Sequence, residues 1–224
     1  MDVQDLVVGL IAAGVIILVA FPVHEFAHAW TAYRLGDSTA RYQGRLTLDP
    51  RSHFDPIGGV VLLVSALFFR FPIGWARPTP VNPYNLRYGR RGEVLVAAAG
   101  PLSNLVLAAA VAIPVRLIWG DGALLGTIVD SLPLALLYNV AWYFVLINVV
   151  LFIFNLLPIP PLDGWRVLTG LVDARLGYSL RQIEPYGLLL LFGVVLLGGD
   201  YLLRAVTAVL DLFVAGARQV ALPL

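Results

Sequence analysis

The sequence predicts an all-α polytopic membrane protein with about 4–6 transmembrane helices. A small membrane-associated β or re-entrant element is expected after the first helix. Composition and segment length carry this reading. Of 224 residues, 59% are hydrophobic and 13% charged, with a mean hydropathy of +0.85. A soluble domain carries about 25% charged and roughly 45–50% apolar residues, so this chain cannot cover itself with water-compatible surface. Several apolar runs also approach the roughly 20 residues that cross a bilayer core.

Taken in order, residues 6–32 predict a first span, interrupted by Pro22, His24, Glu25 and His28. The region 41–91 is the irregular part. Within it, residues 41–48 read as a short strand near the inner membrane face. Residues 55–71 read as a segment that enters and returns on one side, with a short true span as the alternative. Residues 92–118 and 132–157 supply further spans, the latter running into a proline-rich motif at 155–164. Residues 184–217 form a C-terminal helical region with a Gly198-Gly199-Asp200 break, read as one tilted span or as a span plus a shorter amphipathic helix. Residues 164–177 are too short to assign. No repeat or second domain divides the chain, so residues 1–224 read as one integral-membrane unit.

Charge sets the expected orientation. Arg34, Arg41, Arg45 and Arg51 precede the 55–71 segment, and Arg70, Arg77, Arg87, Arg90 and Arg91 follow it. Basic loops stay cytoplasmic, which places both ends of that segment inside. The loop 119–131 carries Asp121 and Asp130 without Arg and is expected outside, as is the N-terminus. Met1-Asp-Val-Gln-Asp lacks the basic start of a secretory signal, so the first apolar run reads as a retained helix. A formal net charge of +1 gives no reason to expect a nucleic-acid partner. The chain has no cysteine, which excludes thiolate metal sites and cysteine nucleophiles; any metal is held by His, Asp or Glu.

Two of the three histidines lie in His24-Glu25-Phe26-Ala27-His28. On a helix, positions i and i+4 share a face, so both imidazoles can reach one metal ion, with Glu25 beside them as general base. Zinc lowers the pKa of a coordinated water to about 7. A lone polar residue in a membrane helix can simply pair with a neighbouring helix. A glutamate and two histidines within five residues of a span are costly, and such groups mark function.

A third protein ligand is still needed. Thr31 and Arg34 occupy the positions where metzincins carry Gly and His, which excludes that class. Glu93 and Glu184 have no evident reason to face the site. Asp163 ends an apolar helix in Asn155-Leu-Leu-Pro-Ile-Pro-Pro-Leu-Asp163-Gly164, where the prolines stop the helix and glycine permits a turn. Read alone it is equally a helix-end turn in water; the missing ligand favours a metal role.

Together His24-Glu-Phe-Ala-His28, Gly100-Pro-Leu-Ser-Asn104 and Asn155-Leu-Leu-Pro-Ile-Pro-Pro-Leu-Asp163-Gly164 resemble the site-2 protease family of intramembrane metalloproteases, in that family's order and over most of the chain. The resemblance implies one Zn2+ per chain held by His24, His28 and Asp163, with Glu25 as general base. It implies hydrolysis of peptide bonds in or near transmembrane segments of single-pass membrane proteins, that is, regulated intramembrane proteolysis. The chain looks like the compact branch, without PDZ or CBS domains.

Asn104 reads equally as a substrate or oxyanion contact and as a helix-packing residue. For Asn155 the resemblance favours substrate contact or support of the site. Asn148, on roughly the same helix face, reads as structural. His53 lies in a polar stretch before the 55–71 segment. It reads first as a turn histidine, and alternatively as a gate over the metal or an extra ligand. Trp75, Tyr84, Tyr88 and Trp119 are ordinary interfacial aromatics.

A substrate helix must unwind before its peptide bonds can be attacked, and an edge strand can hold an extended peptide. Residues 41–48 or 55–71 are the expected edge. The expected location is the cell membrane, multi-pass, with the site toward the cytoplasm. The lipid bilayer and single-pass membrane proteins are the expected partners, and the sequence leaves open a homo-oligomer. A metal-ion transporter and a non-catalytic helix-binding relative are the alternatives. The clustering of ligands at one depth argues against the first, and the intact Glu25 against the second.

Overall fold

A computed structural model describes residues 13–68, 74–120, 126–128 and 131–213, together with Val7, Leu10 and Ile11. The described residues are helical or coil, with no strand among them. A π-helical turn, Ile16–Ala20, runs directly into α1 (Phe21–Arg34). Pro22 cannot donate into the ladder, and a π-turn is a common way for a helix to absorb such a defect near a functional site. Short turns α2 (Thr39–Tyr42) and α3 (Pro50–His53) lead to α4 (Pro56–Phe68). Residues 74–82 then run without regular structure as a strap back to α1. The long helices α5 (Arg90–Gly120) and α6 (Leu132–Asn155) follow. Then come two short amphipathic helices, α7 (Asp163–Leu171) and α8 (Ala174–Arg181), and the last long helix, α9 (Gly187–Phe213).

Among the described residues, four segments are long and apolar enough to cross a membrane: Ala13–Arg34, Arg90–Leu117, Pro133–Asn155 and Glu184–Phe213. The central one is α5, which packs on α1, α6, α7 and α9. Its buried stripe is built from small side chains. Ala97, Gly100, Asn104, Ala108 and Ala112 recur at helical spacing and are all buried, and small residues let neighbouring backbones approach closely in a membrane bundle. One core cluster joins Ala108, Ala112 and Val115 of α5 to Tyr138, Val145 and Val149 of α6 and to Val206 and Leu210 of α9. By contrast α9 turns Leu188, Leu189, Phe192, Leu196 and Leu197 outward. So much apolar surface suits hydrocarbon rather than water.

Two expectations are corrected. Residues 41–48 form no strand: the N–H of Gly44 closes onto Arg41 O and that of Arg45 onto Ala40 O. These groups finish the α2 turn, and Gly44 reverses the chain at φ 67°. The 55–71 segment gives no support for a re-entrant element either. Its described part is the single helix α4, of 13 residues, about 20 Å long and too short to span; residues 69–71 lie outside the described residues. In the C-terminal region α9 runs through Gly198-Gly199-Asp200 without interruption, which selects the single span over a span followed by a shorter helix. Residues 214–217, the N-terminal stretch before the first helix, and Asp121 and Asp130 also lie outside the described residues.

Two polar contacts stabilise the layer at the basic end of the bundle. Arg90 donates to the carbonyls of Thr169 and Val172 at 2.5 and 2.6 Å, capping the end of α7. Glu93 pairs with Arg181 at 3.5 Å.

A candidate metal centre on helices α1 and α7

On α1, His24 and His28 project from one face toward α5, and both are buried. Their Nε2 atoms lie 3.0 Å apart. The carboxylate of Asp163, the first residue of α7, approaches from the opposite side. Its Oδ2 is 3.0 Å from His24 Nε2 and 3.2 Å from His28 Nε2. Among the described residues these three form the one group of His, Asp and Glu whose ligand atoms converge, all within 4.8 Å of one another.

The outer hydrogen bonds decide what that convergence means. His28 Nδ1 lies 2.7 Å from the carbonyl of Val96, which can only accept. His24 Nδ1 lies 2.7 Å from Asn104 Oδ1. The amide nitrogen of Asn104 is committed to Asn148 Oδ1 at 3.0 Å and to Ala20 O at 3.5 Å, so its oxygen faces the histidine. Both imidazoles therefore donate through Nδ1, and in their neutral form both turn an Nε2 lone pair inward toward a carboxylate oxygen. Three such donors meeting in a buried space offer a cation a ready ligand set. A tetrahedral zinc with bonds of 2.0–2.2 Å sets its ligand atoms roughly 3.3 Å apart, close to the separations found here.

Local sequence explains the closeness. Gly100 on α5 lies against both rings: a Cβ built there would stand 2.3 Å from His28 Nε2 and 2.6 Å from His24 Nε2. Gly164 does the same for the carboxylate, since a Cβ there would meet Leu156 O at 2.2 Å and Leu157 O at 2.5 Å. Only glycine lets the start of α7 tuck under the end of α6 and deliver Asp163.

Glu25 stands beside the triad without joining it. It accepts a hydrogen bond from the backbone N–H of Thr79 at Oε2, 2.7 Å away. Asn104 is fully buried, and its side chain is occupied by His24 and Asn148. Of its two expected roles, these contacts correspond to packing between helices, with Asn104 backing His24. Asn148 completes this chain by donating to Phe144 O at 2.9 Å. Asn155 donates to Leu151 O in its own helix at 2.9 Å. His53 is buried, but its Nε2 binds Thr47 O at 2.8 Å and it is not brought to the metal ligands. Glu184 accepts from Trp165 Nε1 at 3.0 Å, away from the site. Sequence reasoning missed Thr79 altogether and read Asn148 as merely structural. The Pro-Thr-Pro run and the Asn148/Asn155 spacing were the available signals.

Asn104→Leu keeps the volume but removes the acceptor of His24 Nδ1. It is expected to weaken zinc binding by roughly 10–100-fold, the usual cost of losing a ligand's outer partner. Competition with a chromogenic chelator measures this, and wild-type affinity would show that His24 needs no such support.

The chain matches the model of Peptidase family M50 over residues 11–198. It is 42% identical over 175 residues to the Bacillus subtilis (strain 168) protein named "Putative zinc metalloprotease YwhC", covering 76% of this chain and 74% of that one. The Mycobacterium tuberculosis (strain H37Rv) proteins that carry the same description, Rip2 and Rip3, are each 30% identical to it. The Rip2 alignment covers 78% of this chain and 62% of the relative, the Rip3 alignment 77% and 34%. No solved structure matches the chain.

Proposed function

The chain belongs to peptidase family M50, the site-2 type of zinc metalloprotease, and from that premise we propose that it hydrolyses peptide bonds in or near the transmembrane segments of single-pass membrane proteins. The observation that carries this reading is the position of the metal ligands. His24, His28 and Asp163 converge within helices of which one, Ala13–Arg34, is long and apolar enough to lie in the bilayer. A peptidase whose metal sits on such a helix meets substrates that share the membrane.

His24, His28 and Asp163 hold the zinc. When bound, zinc lowers the pKa of a coordinated water to about 7 and polarises a carbonyl oxygen as a Lewis acid. Glu25 takes the proton of the attacking water and returns it to the nitrogen of the leaving amine. Asn104, backed by Asn148, keeps the proton of His24 on Nδ1 so that Nε2 stays free for the metal. The substrate helix must unwind locally to expose a carbonyl, because its peptide groups are otherwise bonded within the helix.

The protein is a multi-pass membrane enzyme with its site toward the cytoplasm. In the sequence, the arginines from Arg34 to Arg91 lie between the helix that carries His24 and His28 and the next long helix, and basic segments remain on the cytoplasmic side.

Mass spectrometry of the products tests this reading. Purified zinc-loaded protein in detergent is expected to cut a panel of single-pass substrates within, or a few residues from, their apolar segment. Cuts confined to soluble tails, and equally efficient on soluble peptides, would contradict the intramembrane assignment.

A further inference from the structure

The strap of residues 74–82 has no place in the metal site, yet it is fastened to the fold at almost every step. The N–H of Arg77 donates to His53 O at 2.8 Å. Arg45, buried to 5% exposure, donates through Nη2 to the carbonyls of Arg77 and Pro78 at 2.6 and 3.0 Å. The N–H of Asn82 donates to Asp37 Oδ2 at 2.7 Å, and Asp37 is itself fully buried. Between these anchors the strap delivers one residue, Thr79, to the catalytic helix. Its N–H donates to Glu25 Oε2 at 2.7 Å and its hydroxyl to the Glu25 backbone carbonyl at 3.0 Å.

A buried arginine without a carboxylate partner is costly. Burial and the neighbouring Arg77 charge both act against ionised Arg45, while the Glu25 carboxylate acts for it. Its Nη1 has no hydrogen-bond partner. Packing alone would be served by an apolar side chain. What Arg45 does that an apolar residue cannot is hold two successive carbonyls, and so fix where the next N–H points. That N–H belongs to Thr79, flanked by Pro78 and Pro80, which stiffen the extended path and have no N–H of their own.

We propose that Arg45 and Thr79 form a positioning device for the general base. Arg45 fixes the strap through the Arg77 and Pro78 carbonyls, and the Thr79 N–H then holds one oxygen of Glu25 and leaves the other to face the reacting water. The device rests on the assignment of Glu25 as base. Neither residue touches substrate; both act through Glu25.

The test uses the full-length, zinc-loaded protein. Thr79→Pro removes the N–H at a site already extended between prolines, and Arg45→Met removes the carbonyl clamp while keeping the bulk. Each is expected to lower kcat by roughly 10–100-fold, with KM within about twofold on the same substrate. Zinc content and the absorption of the cobalt-substituted enzyme should stay at wild-type values. Arg45→Lys, which can still donate to a carbonyl, should recover part of the lost kcat. Hydrogen exchange gives a second readout, since a peptide spanning 77–81 carries backbone amides only at Arg77, Thr79 and Val81. The Thr79 amide should exchange faster in Arg45→Met and in Glu25→Ala.

An unchanged kcat with faster exchange would overturn the proposal, because the strap would be loosened without consequence for the base. A raised turnover would overturn it in the other direction, making the strap a plug. Loss of zinc would assign the strap to the metal site instead. If wild-type protein cleaves nothing, the peptidase reading fails. The coupling is then judged by exchange alone, and an unaltered Thr79 amide in Glu25→Ala would sink it.

Discussion

Glu25→Gln is expected to keep one zinc per chain and to lower cleavage by roughly 10²–10⁴-fold, the range that general acid–base catalysis supplies. The substitution is unusually clean in this setting. Glu25 lies outside the three converging ligand atoms, so its charge is not needed to hold the metal. The Thr79 N–H that donates to Oε2 can donate equally to an amide oxygen, so the side chain keeps its place. What disappears is the ability to accept a proton and hand it to the leaving nitrogen. Metal analysis and product quantification on one preparation check both halves. Turnover within a few-fold of wild type would remove Glu25 from the mechanism.

Gly100→Ala should be nearly as damaging by an unrelated route. In an ordinary helix the change is favourable by about 1 kcal/mol. Here the new methyl would stand 2.3 Å from His28 Nε2, 2.5 Å from His28 Cε1 and 2.6 Å from His24 Nε2. Neither ring can retreat freely, because each is tethered at Nδ1, to Val96 O and to Asn104. The atoms displaced are the metal-binding ones. Zinc affinity should fall by about 100-fold or more, beyond the usual cost of losing an outer partner, while helix content by circular dichroism stays at the wild-type level. Unchanged affinity would mean that α5 can move away from α1, and that the small-residue stripe is less tightly packed than described.

The contrast between these two positions shows what was legible beforehand. Glu25 is visible in the sequence because local spacing sets it: four residues bring two histidines to one helix face, and the glutamate follows. Asp163 is visible through its punctuation, since prolines and a glycine announce a helix that stops at a turn. The long spans were equally plain, because about 20 apolar residues leave few alternatives to a membrane helix.

The roles of Gly100, Asn104 and Thr79 were not legible in the same way. Each depends on which helix faces which. Asn104 reads as a polar residue near a helix start until α5 is placed against α1, when it becomes the partner of His24. The expected strand at 41–48 failed for the opposite reason. Strands need partners, and the Gly44 turn committed the local N–H groups to the preceding helical turn. Arg45, which looked like one more cytoplasmic charge, turned inward because two carbonyls of a distant segment were waiting for it.

The measurement that bears most directly on the whole account is cleavage of a single-pass membrane substrate by zinc-loaded, metal-stripped and zinc-restored protein from one purification. The site described here predicts cleavage in the first, none in the second, and recovery in the third at one zinc per chain. Cleavage that survives complete removal of the metal would contradict it, because His24, His28 and Asp163 would then converge for some purpose other than catalysis.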